Sequence, residues 1–167
     1  MANLIREQRI IDTNKRALLK YVFVSDGTAE ANTVLVDVST LQYALNANGY
    51  IMQSGVHPKE KYRTTIRRIF SVGGSEGAIK LQWHGDANSE IMILPSRSVD
   101  LDFDPMGGGA VIANPEANST GDILMSTVNV ASGDYFTILL DLRKDSSDYD
   151  AGQTADPAAF NSGPYRL

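Results

Sequence analysis

Three aspartates alternate along the segment DLDFD, and their type and spacing are the strongest indication of chemistry in this sequence. Because successive side chains of a β-strand point to opposite faces, Asp100, Asp102 and Asp104 would share one face of a strand. Carboxylates arranged in this way can bind Ca²⁺, which prefers oxygen ligands. The segment departs from an EF-hand loop, because the glycine and the final glutamate of that loop are both missing. We therefore predict a solvated acidic face with no resident metal or other cofactor, and keep the three aspartates as candidate ligands.

A basic segment, KEKYRTTIRR, covers residues 59–68 and suggests a contact surface. A nucleic-acid site would need a contiguous basic surface with aromatic side chains for stacking, and this segment offers a single tyrosine. Arginine forks pair well with carboxylates across subunit contacts. The partner carboxylates would be those of residues 100–104 or of the acidic residues 145–150, and a solvated basic face is the alternative. The interface candidates are Lys61, Arg63, Arg67, Arg68 and Tyr165.

The residues needed for common enzyme chemistry are scarce. The chain has two histidines, His57 and His84, and no cysteine. No serine lies in a G-x-S-x-G context, and neither glycine-rich segment has the pattern of a phosphate-binding loop. A carboxylate pair for glycan hydrolysis stays open, although no spacing selects one. We predict that the chain has no catalytic residues and is not an enzyme.

Composition limits the class of protein further. The 167 residues suit one domain, and an apolar share of 43% is ordinary for a globular protein. A net charge of −5 argues against a protein that mainly binds the phosphate backbone of nucleic acids, so we expect no direct nucleic-acid contact. Charged residues interrupt the first residues before a signal-peptide core can form, and no window has the roughly 20 apolar residues of a membrane span. We expect a soluble protein without a membrane anchor and without a membrane partner.

Short segments rich in aromatic and β-branched residues recur along the chain, and several alternate between apolar and polar positions, which is typical of half-buried β-strands. The predicted strands are residues 16–25, 33–40, 61–72, 78–85, 90–96, 98–105, 122–130 and 134–144. Short intervening turns predict three hairpins, namely the first and second strands, the fourth and fifth, and the last two. One or two helical turns are expected within 41–50, and a long loop is expected at 106–121.

These elements predict an all-β fold. No long helical pattern appears, which argues against a parallel sheet with crossover helices. Two antiparallel sheets packed face to face, as a β-sandwich or jelly-roll-like single domain, fit best, and a small closed barrel is second. The domain is expected to cover residues 16–144, with an irregular N-terminal arm over 1–15 and an irregular C-terminal tail over 145–167. The last two strands are expected to form a central hairpin, with Ile123, Met125, Phe136, Ile138 and Leu140 facing inward.

Three segments resemble small structural proteins of tailed bacteriophages, especially those of marine myoviruses. They are RALLKYVFVSDGT (16–28), AIKLQWHGDANSEIMIL (78–94) and STGDILMSTVNVASGDYFTILLDLRK (119–144). The resemblance implies a component of the virion with a β-sandwich fold, without enzyme activity and without a cofactor. It does not indicate which shell of the virion the protein belongs to.

The expected function is therefore that of a non-enzymatic virion structural protein, assembled in the host cytoplasm. We expect a capsid-associated decoration or cement subunit that forms a homo-oligomer and contacts other virion proteins such as the major capsid protein. A neck, tail or baseplate subunit is the alternative within the same class. A glycan- or receptor-binding module is the alternative from another class, with Trp83, Tyr50 and Tyr62 stacking on sugars and Asp100 or Asp104 holding Ca²⁺.

Overall fold

A computed structural model describes residues 2–52, 58–74, 76–103, 112–115 and 118–150. Over these residues the chain forms ten β-strands and one short 3₁₀ helix, Val38–Thr40. The strands are β1 (Leu4–Asp12), β2 (Arg16–Asp26), β3 (Thr33–Val36), β4 (Thr64–Gly73), β5 (Ala78–Trp83), β6 (Ser89–Pro95), β7 (Val99–Asp102), β8 (Ile112–Ala113), β9 (Ile123–Val128) and β10 (Ser132–Lys144).

The strands form two antiparallel sheets, which confirms the predicted all-β sandwich. Sheet A has the order β1-β2-β10-β4, and the outer edge of β4 pairs with β7 along one part and with β8 along another. Sheet B has the order β3-β9-β5-β6. Each sheet turns one face toward the other, so alternate residues of each strand enter a shared core.

The core follows from this alternation. In β2 every second residue from Ala17 to Ser25 is buried, and in β5 the buried positions are Ile79, Leu81 and Trp83. The five inward positions predicted from the last two strands are all buried, which confirms that part of the prediction. Large side chains from both sheets therefore fill the interior, and burial of this apolar surface is the main driving force for folding.

Two of the three predicted hairpins are wrong. Strands β5 and β6 pair as expected, but β2 and β3 belong to different sheets, and so do β9 and β10. Each of these two connections is an arch that carries the chain across the sandwich. An arch and a hairpin both require one apolar face on each strand, so the sequence pattern does not separate them.

The predicted irregular ends also need correction. Residues 4–12 form β1 and pair along β2, so the expected N-terminal arm over 1–15 is wrong for these residues. The expected tail from residue 145 is wrong for residues 145–150, because Tyr149 lies fully buried in the core. Its hydroxyl donates a hydrogen bond of 2.9 Å to the carbonyl oxygen of Val38. Residues 151–167 lie outside the described part of the chain.

The helical turns expected within 41–50 are absent from this described segment. Tyr43 has a positive φ of 66°, and Ala44 forms an isolated bridge to Tyr149. The backbone N–H of Leu45 donates to the carbonyl oxygen of Asp148 at 2.9 Å. Because these backbone groups bond to a distant segment, they are not available for a helix.

Candidate functional site

The acidic strand lies at the edge of sheet A, and its first aspartate is engaged by an arginine. Asp100 and Asp102 are exposed on the same face of β7, as predicted, while Asp104 lies outside the described residues. Arg68 donates from Nε and Nη2 to the two carboxylate oxygens of Asp100, at 2.9 and 2.7 Å. These hydrogen bonds lower the pKa of Asp100. A cation at this strand would have to displace a guanidinium, and no group of three or more His, Asp or Glu side chains among the described residues is placed to hold a metal.

The basic segment also finds its carboxylates within the same chain. Asp148 Oδ2 accepts hydrogen bonds from the backbone N–H of Arg63 at 2.7 Å and from its Nε at 3.2 Å. Lys61 donates from Nζ to Oδ1 of Asn118 at 3.0 Å. Arg67 is half-buried on β4, and Tyr165 lies outside the described residues. Arg63 and Arg68 thus use the acidic segments that the sequence suggested, but as intramolecular partners.

The environment of His84 differs from a catalytic relay. Its Nδ1 lies 3.2 Å from the hydroxyl of Thr120 and 3.6 Å from Oδ2 of Asp122. The Thr120 hydroxyl donates to the same carboxylate oxygen at 2.9 Å. A nucleophile–base pair requires the base to accept the proton of the hydroxyl. Here that proton is directed to Asp122, so the contact holds a turn together. His57 lies outside the described residues.

Two of the three aromatic side chains considered for sugar stacking are not accessible. Trp83 and Tyr62 are buried in the core, and Tyr50 is half-buried. The hydroxyl of Tyr62 donates to the carbonyl oxygen of Leu45 at 2.6 Å, and its ring packs on that of Tyr149. Trp83 and Tyr62 therefore act as core residues, and neither can stack on a ligand at the surface.

The surface with the clearest capacity for binding is the outer face of sheet A, which sequence reasoning missed. Apolar side chains continue across four of its strands and form what we call the outer strip. The outer strip consists of Leu4, Leu18, Val22, Val24, Phe70, Val72, Tyr135 and Leu139. Cross-strand register places Leu4, Val24 and Tyr135 in one row, and Leu139 beside Phe70 in a parallel row.

Tyr135 is the most prominent member of the outer strip. Its side chain is 51% exposed, and its ring lies against Gly74, where an added Cβ would come within 2.4 Å of the ring. The backbone N–H of Gly74 donates to the carbonyl oxygen of Tyr135 at 3.0 Å. The absence of a side chain at Gly74 thus allows the ring to lie over the strand end, where it protrudes from the face.

A depression of about 210 Å³ opens at the other end of the outer strip. Leu18, Phe70 and Leu139 form its apolar lining. An ion pair borders it, in which Arg16 donates from Nε and Nη2 to the two oxygens of Asp141, both at 2.9 Å. The same face therefore carries a protruding aromatic ring and a concave apolar patch.

The outer face of sheet B is different. Its exposed apolar residues, Val34, Ile93 and Val128, lie on different strands, and the polar residues Lys80, Gln82 and Ser126 occupy the central positions of this face. The segment before β3 also covers part of it, since the backbone N–H groups of Glu30 and Asn32 donate to the side chains of Thr127 and Ser126 at 2.8 and 2.9 Å. The outer strip is thus a property of one sheet. Contiguous apolar patches of this kind mark interaction surfaces more often than isolated exposed residues do.

One sequence signal could have revealed the outer strip. In β2 the outward positions Leu18, Val22 and Val24 are apolar, although the inward positions of the same strand are apolar too. Strands that are apolar on both sides are typical of sheets with both faces covered. The inward set alone predicts the core, and the outward set has no partner among the described residues.

In comparisons with known proteins, no family model, curated protein or solved structure matches the chain. Within the described residues, no helix is long and apolar enough to cross a membrane.

Proposed function

We propose that the chain is a non-enzymatic structural subunit that assembles through the outer strip with a second copy of itself. The setting that we propose is the virion of a tailed bacteriophage, where the protein would act as a capsid-associated decoration or cement subunit in contact with the major capsid protein. The observation that carries the assembly part is the apolar face of sheet A. The virion setting is supported by the sequence resemblance, and a neck, tail or baseplate position belongs to the same proposal.

The charge on this face favours a second copy as the occupant. The chain as a whole carries a net charge of −5, which would make two copies repel each other. The outer face of sheet A, in contrast, carries both signs in similar number. Its cations are Arg6, Arg16, Lys20, Arg68 and Arg143, and its anions are Asp26, Asp100, Asp102 and Asp141. Two such faces can approach without the repulsion that the net charge would impose.

The shape of the face is also compatible with an isologous contact, in which the same patch is used by both copies. Tyr135 and Leu139 are four positions apart on β10, which corresponds to about 13 Å along a strand. A two-fold axis perpendicular to the strands would place the ring of each Tyr135 over the depression of the other copy. Aromatic anchors that fill a concave apolar site are the contacts that carry most binding energy in interfaces.

The test is the mass of the full chain in solution, measured by light scattering over a range of concentrations. Tyr135→Asp should shift the equilibrium from the dimer toward the monomer, because it buries a carboxylate in an apolar contact. The matched control is Ile93→Asp, which introduces the same charge at an equally exposed apolar position of sheet B, 50% against 51%. We expect Ile93→Asp to assemble like the unchanged protein.

The virion part is tested by mixing the protein with phage particles that lack it. Sedimentation of the protein with the particles, lost in Tyr135→Asp and kept in Ile93→Asp, would support a shell subunit built from this contact. A protein that stays monomeric at all concentrations would refute assembly through the outer strip. An oligomer that ignores capsids, tails and baseplates alike would refute the virion setting alone.

A further inference from the structure

A cavity of about 410 Å³ lies at the end of sheet A, away from Tyr135. It opens where β2 begins, β10 ends and β4 begins. Four cationic residues line it, namely Lys15, Arg63, Arg143 and Lys144, together with a single acidic residue, Asp145. In a chain that carries more acidic than basic residues, this is a local reversal of charge.

The side chains of two of these cations are not held in an ion pair with any described residue. The side chains of Lys15 and Arg143 are exposed, and neither makes a hydrogen bond or an ion pair within the described part of the chain. In the ladder between β2 and β10, Arg143 lies directly opposite Arg16. Like charges at directly opposed positions are destabilising. Asp141 neutralises Arg16, whereas Arg143 at the rim of the cavity has the charge of Asp145 near it but forms no ion pair with a described residue.

The other charged groups around the cavity do not remove this excess. Lys144 turns its ammonium into the protein, where it bonds to Asp12. Arg63 donates from Nε to Asp148 and from Nη2 to Ser147, and the remaining N–H groups of its guanidinium are left to donate to a ligand. Asp145 accepts hydrogen bonds from Ser147, which lower its pKa together with the charges of Arg63 and Arg143. Asp145 is thus the one anion that a ligand would have to approach.

Two buried hydroxyls add an independent observation. Thr64 and Thr65 line the cavity, and their Oγ1 atoms are buried without a hydrogen-bond partner among the described residues. The side chain of Thr64 belongs to a residue that is only 3% exposed. A buried hydroxyl without a partner costs free energy, and such groups are usually satisfied by water, an ion or a ligand. Thr65 stands directly opposite Arg143 in the ladder between β4 and β10, so the ligand of its hydroxyl would lie beside a cation, whereas Thr64 points to the other face of the sheet.

We propose that this cavity is a binding site for a tetrahedral oxyanion, phosphate or sulfate. Guanidinium and ammonium groups supply charge-assisted hydrogen bonds to such an ion, and the hydroxyl of Thr65, which stands opposite Arg143, supplies a neutral one. The donors come from three strand ends, so they can approach an ion that has several oxygens from more than one direction. The oxyanion is either a free ion or the end group of a phosphate monoester. This site is separate from the outer strip and does not depend on the proposed assembly.

The experiment is calorimetric titration of the full chain at low ionic strength with inorganic phosphate, sulfate and glycerol 3-phosphate. We expect saturable binding of phosphate or sulfate. Arg143→Gln and Lys15→Gln should each weaken phosphate binding about ten- to a hundredfold, the effect of losing a charge-assisted hydrogen bond. Thr65→Val should weaken it about tenfold and leave the melting temperature without phosphate unchanged or higher, since it removes an unsatisfied buried hydroxyl.

Arg97→Gln is the matched control. Arg97 is exposed and has no partner among the described residues, and its neighbour Ser96 accepts a hydrogen bond from Gly73 at the opposite end of β4. It should change phosphate affinity less than about twofold, because its charge is screened over that distance. Equal losses in Arg97→Gln and Arg143→Gln would reduce the effect to general charge attraction and overturn the site. Titrations that show no saturation would also overturn the site. Binding of glycerol 3-phosphate as well as phosphate would identify a monoester end group as the ligand, and binding of phosphate alone would identify the free ion.

Discussion

Asp12→Asn should destabilise the protein strongly, because it breaks an ion pair that lies in the interior. The ammonium of Lys144 is fully buried, and its Nζ lies 2.5 Å from Oδ1 of Asp12 and 2.9 Å from the carbonyl oxygen of Gln42. It also lies 4.7 Å from the ring centre of Tyr149. These contacts join the ends of β1 and β10 to two segments outside the sheets, beneath the cavity at the end of sheet A.

The expected loss follows from what remains after the substitution. Removing one partner of a buried pair costs about 3–5 kcal/mol, because the other charge is left uncompensated. The lower end, about 3 kcal/mol, applies here, since Lys144 keeps the Gln42 carbonyl and the Tyr149 ring. Asparagine adds a second penalty: Oδ2 of Asp12 accepts from the backbone N–H of Gln42 at 3.0 Å, and an amide NH₂ there would face another donor.

The loss should also depend on pH. Burial lowers the pKa of Lys144, and the charge of Arg9 lowers it further. The hydrogen bond to Asp12 and the charge of Asp12 raise this pKa, but the net shift is downward. Without the carboxylate, the folded-state pKa falls further below the unfolded value of about 10.4. The unfolded state then binds more protons than the folded state, so stability rises with pH between these two values. The deficit of Asp12→Asn should therefore shrink from pH 7 toward pH 9.5. Burial also raises the pKa of Tyr149. This shift changes stability only above the ordinary tyrosine pKa of about 10, so it does not affect the range from pH 7 to pH 9.5.

Urea unfolding, followed by the fluorescence of the single tryptophan, Trp83, measures these free energies. Asp100→Asn is the control, because it removes a carboxylate from an exposed arginine pair and should change stability little. The double variant Asp12→Asn/Lys144→Met should recover part of the loss, since it leaves no buried charge. A loss below about 1 kcal/mol for Asp12→Asn, or a deficit that grows with pH, would refute the reasoning.

Two further substitutions test the backbone and the C-terminal contact. Gly121→Ala should cost at least about 3 kcal/mol and Gly133→Ala about 1–2 kcal/mol in urea unfolding. Both glycines have positive φ, 94° and 92°, but a Cβ on Gly121 would lie 2.0 Å from the carbonyl oxygen of Tyr62, whereas nothing lies within 4 Å of a Cβ on Gly133. Equal losses would contradict the close contact. Tyr149→Phe should cost about 1 kcal/mol, measured in the same way, because it removes the hydrogen bond to Val38. An unchanged midpoint would mean that this hydroxyl is not held.

Alternation along single strands made the fold class and much of the core predictable. Ile79, Leu81 and Trp83 alternate with polar residues, and this local pattern is enough to give the strand, its inward face and its hairpin with β6. The same logic places Phe136 and Ile138 in the core. Such positions are predictable because burial of one strand face depends on period alone, whichever strand becomes the neighbour.

Strand β1 was not predictable in the same way, because its polar residues obscure the period. Its inward positions include Glu7 and Arg9, and Arg9 donates from Nε to Glu7 at 2.7 Å. At the edge of a sheet such polar residues remain in contact with water, and charges there also discourage pairing with other chains. Tyr149 was missed for another reason. It enters the core through a distant hydrogen bond to Val38, and no local pattern around it indicates burial.

The pairing of the charged candidates depended on register, which the sequence does not supply. Arg68 and Asp100 meet because β4 and β7 are neighbours and Phe70 stands opposite Asp100. The residue types did indicate arginine–carboxylate pairs. The choice between pairs within the chain and pairs across subunits depends on strand order, which is set by long-range packing. The outer strip was missed for the same reason, since its members come from distant strands.

Charge and apolar surface are distributed along sheet A in a way that links the two proposed surfaces. Asp141 borders the depression of the outer strip and holds Arg16, which stands directly opposite Arg143 at the cavity. Because Asp141 pairs with only one of these two cations, a neutral ion pair borders the depression, while Arg143 at the cavity forms no ion pair within the described part of the chain. An apolar contact needs a border without net charge, whereas an oxyanion site needs a surplus of positive charge. The placement of one aspartate therefore separates a surface suited to a second copy of the chain from a site suited to an anion.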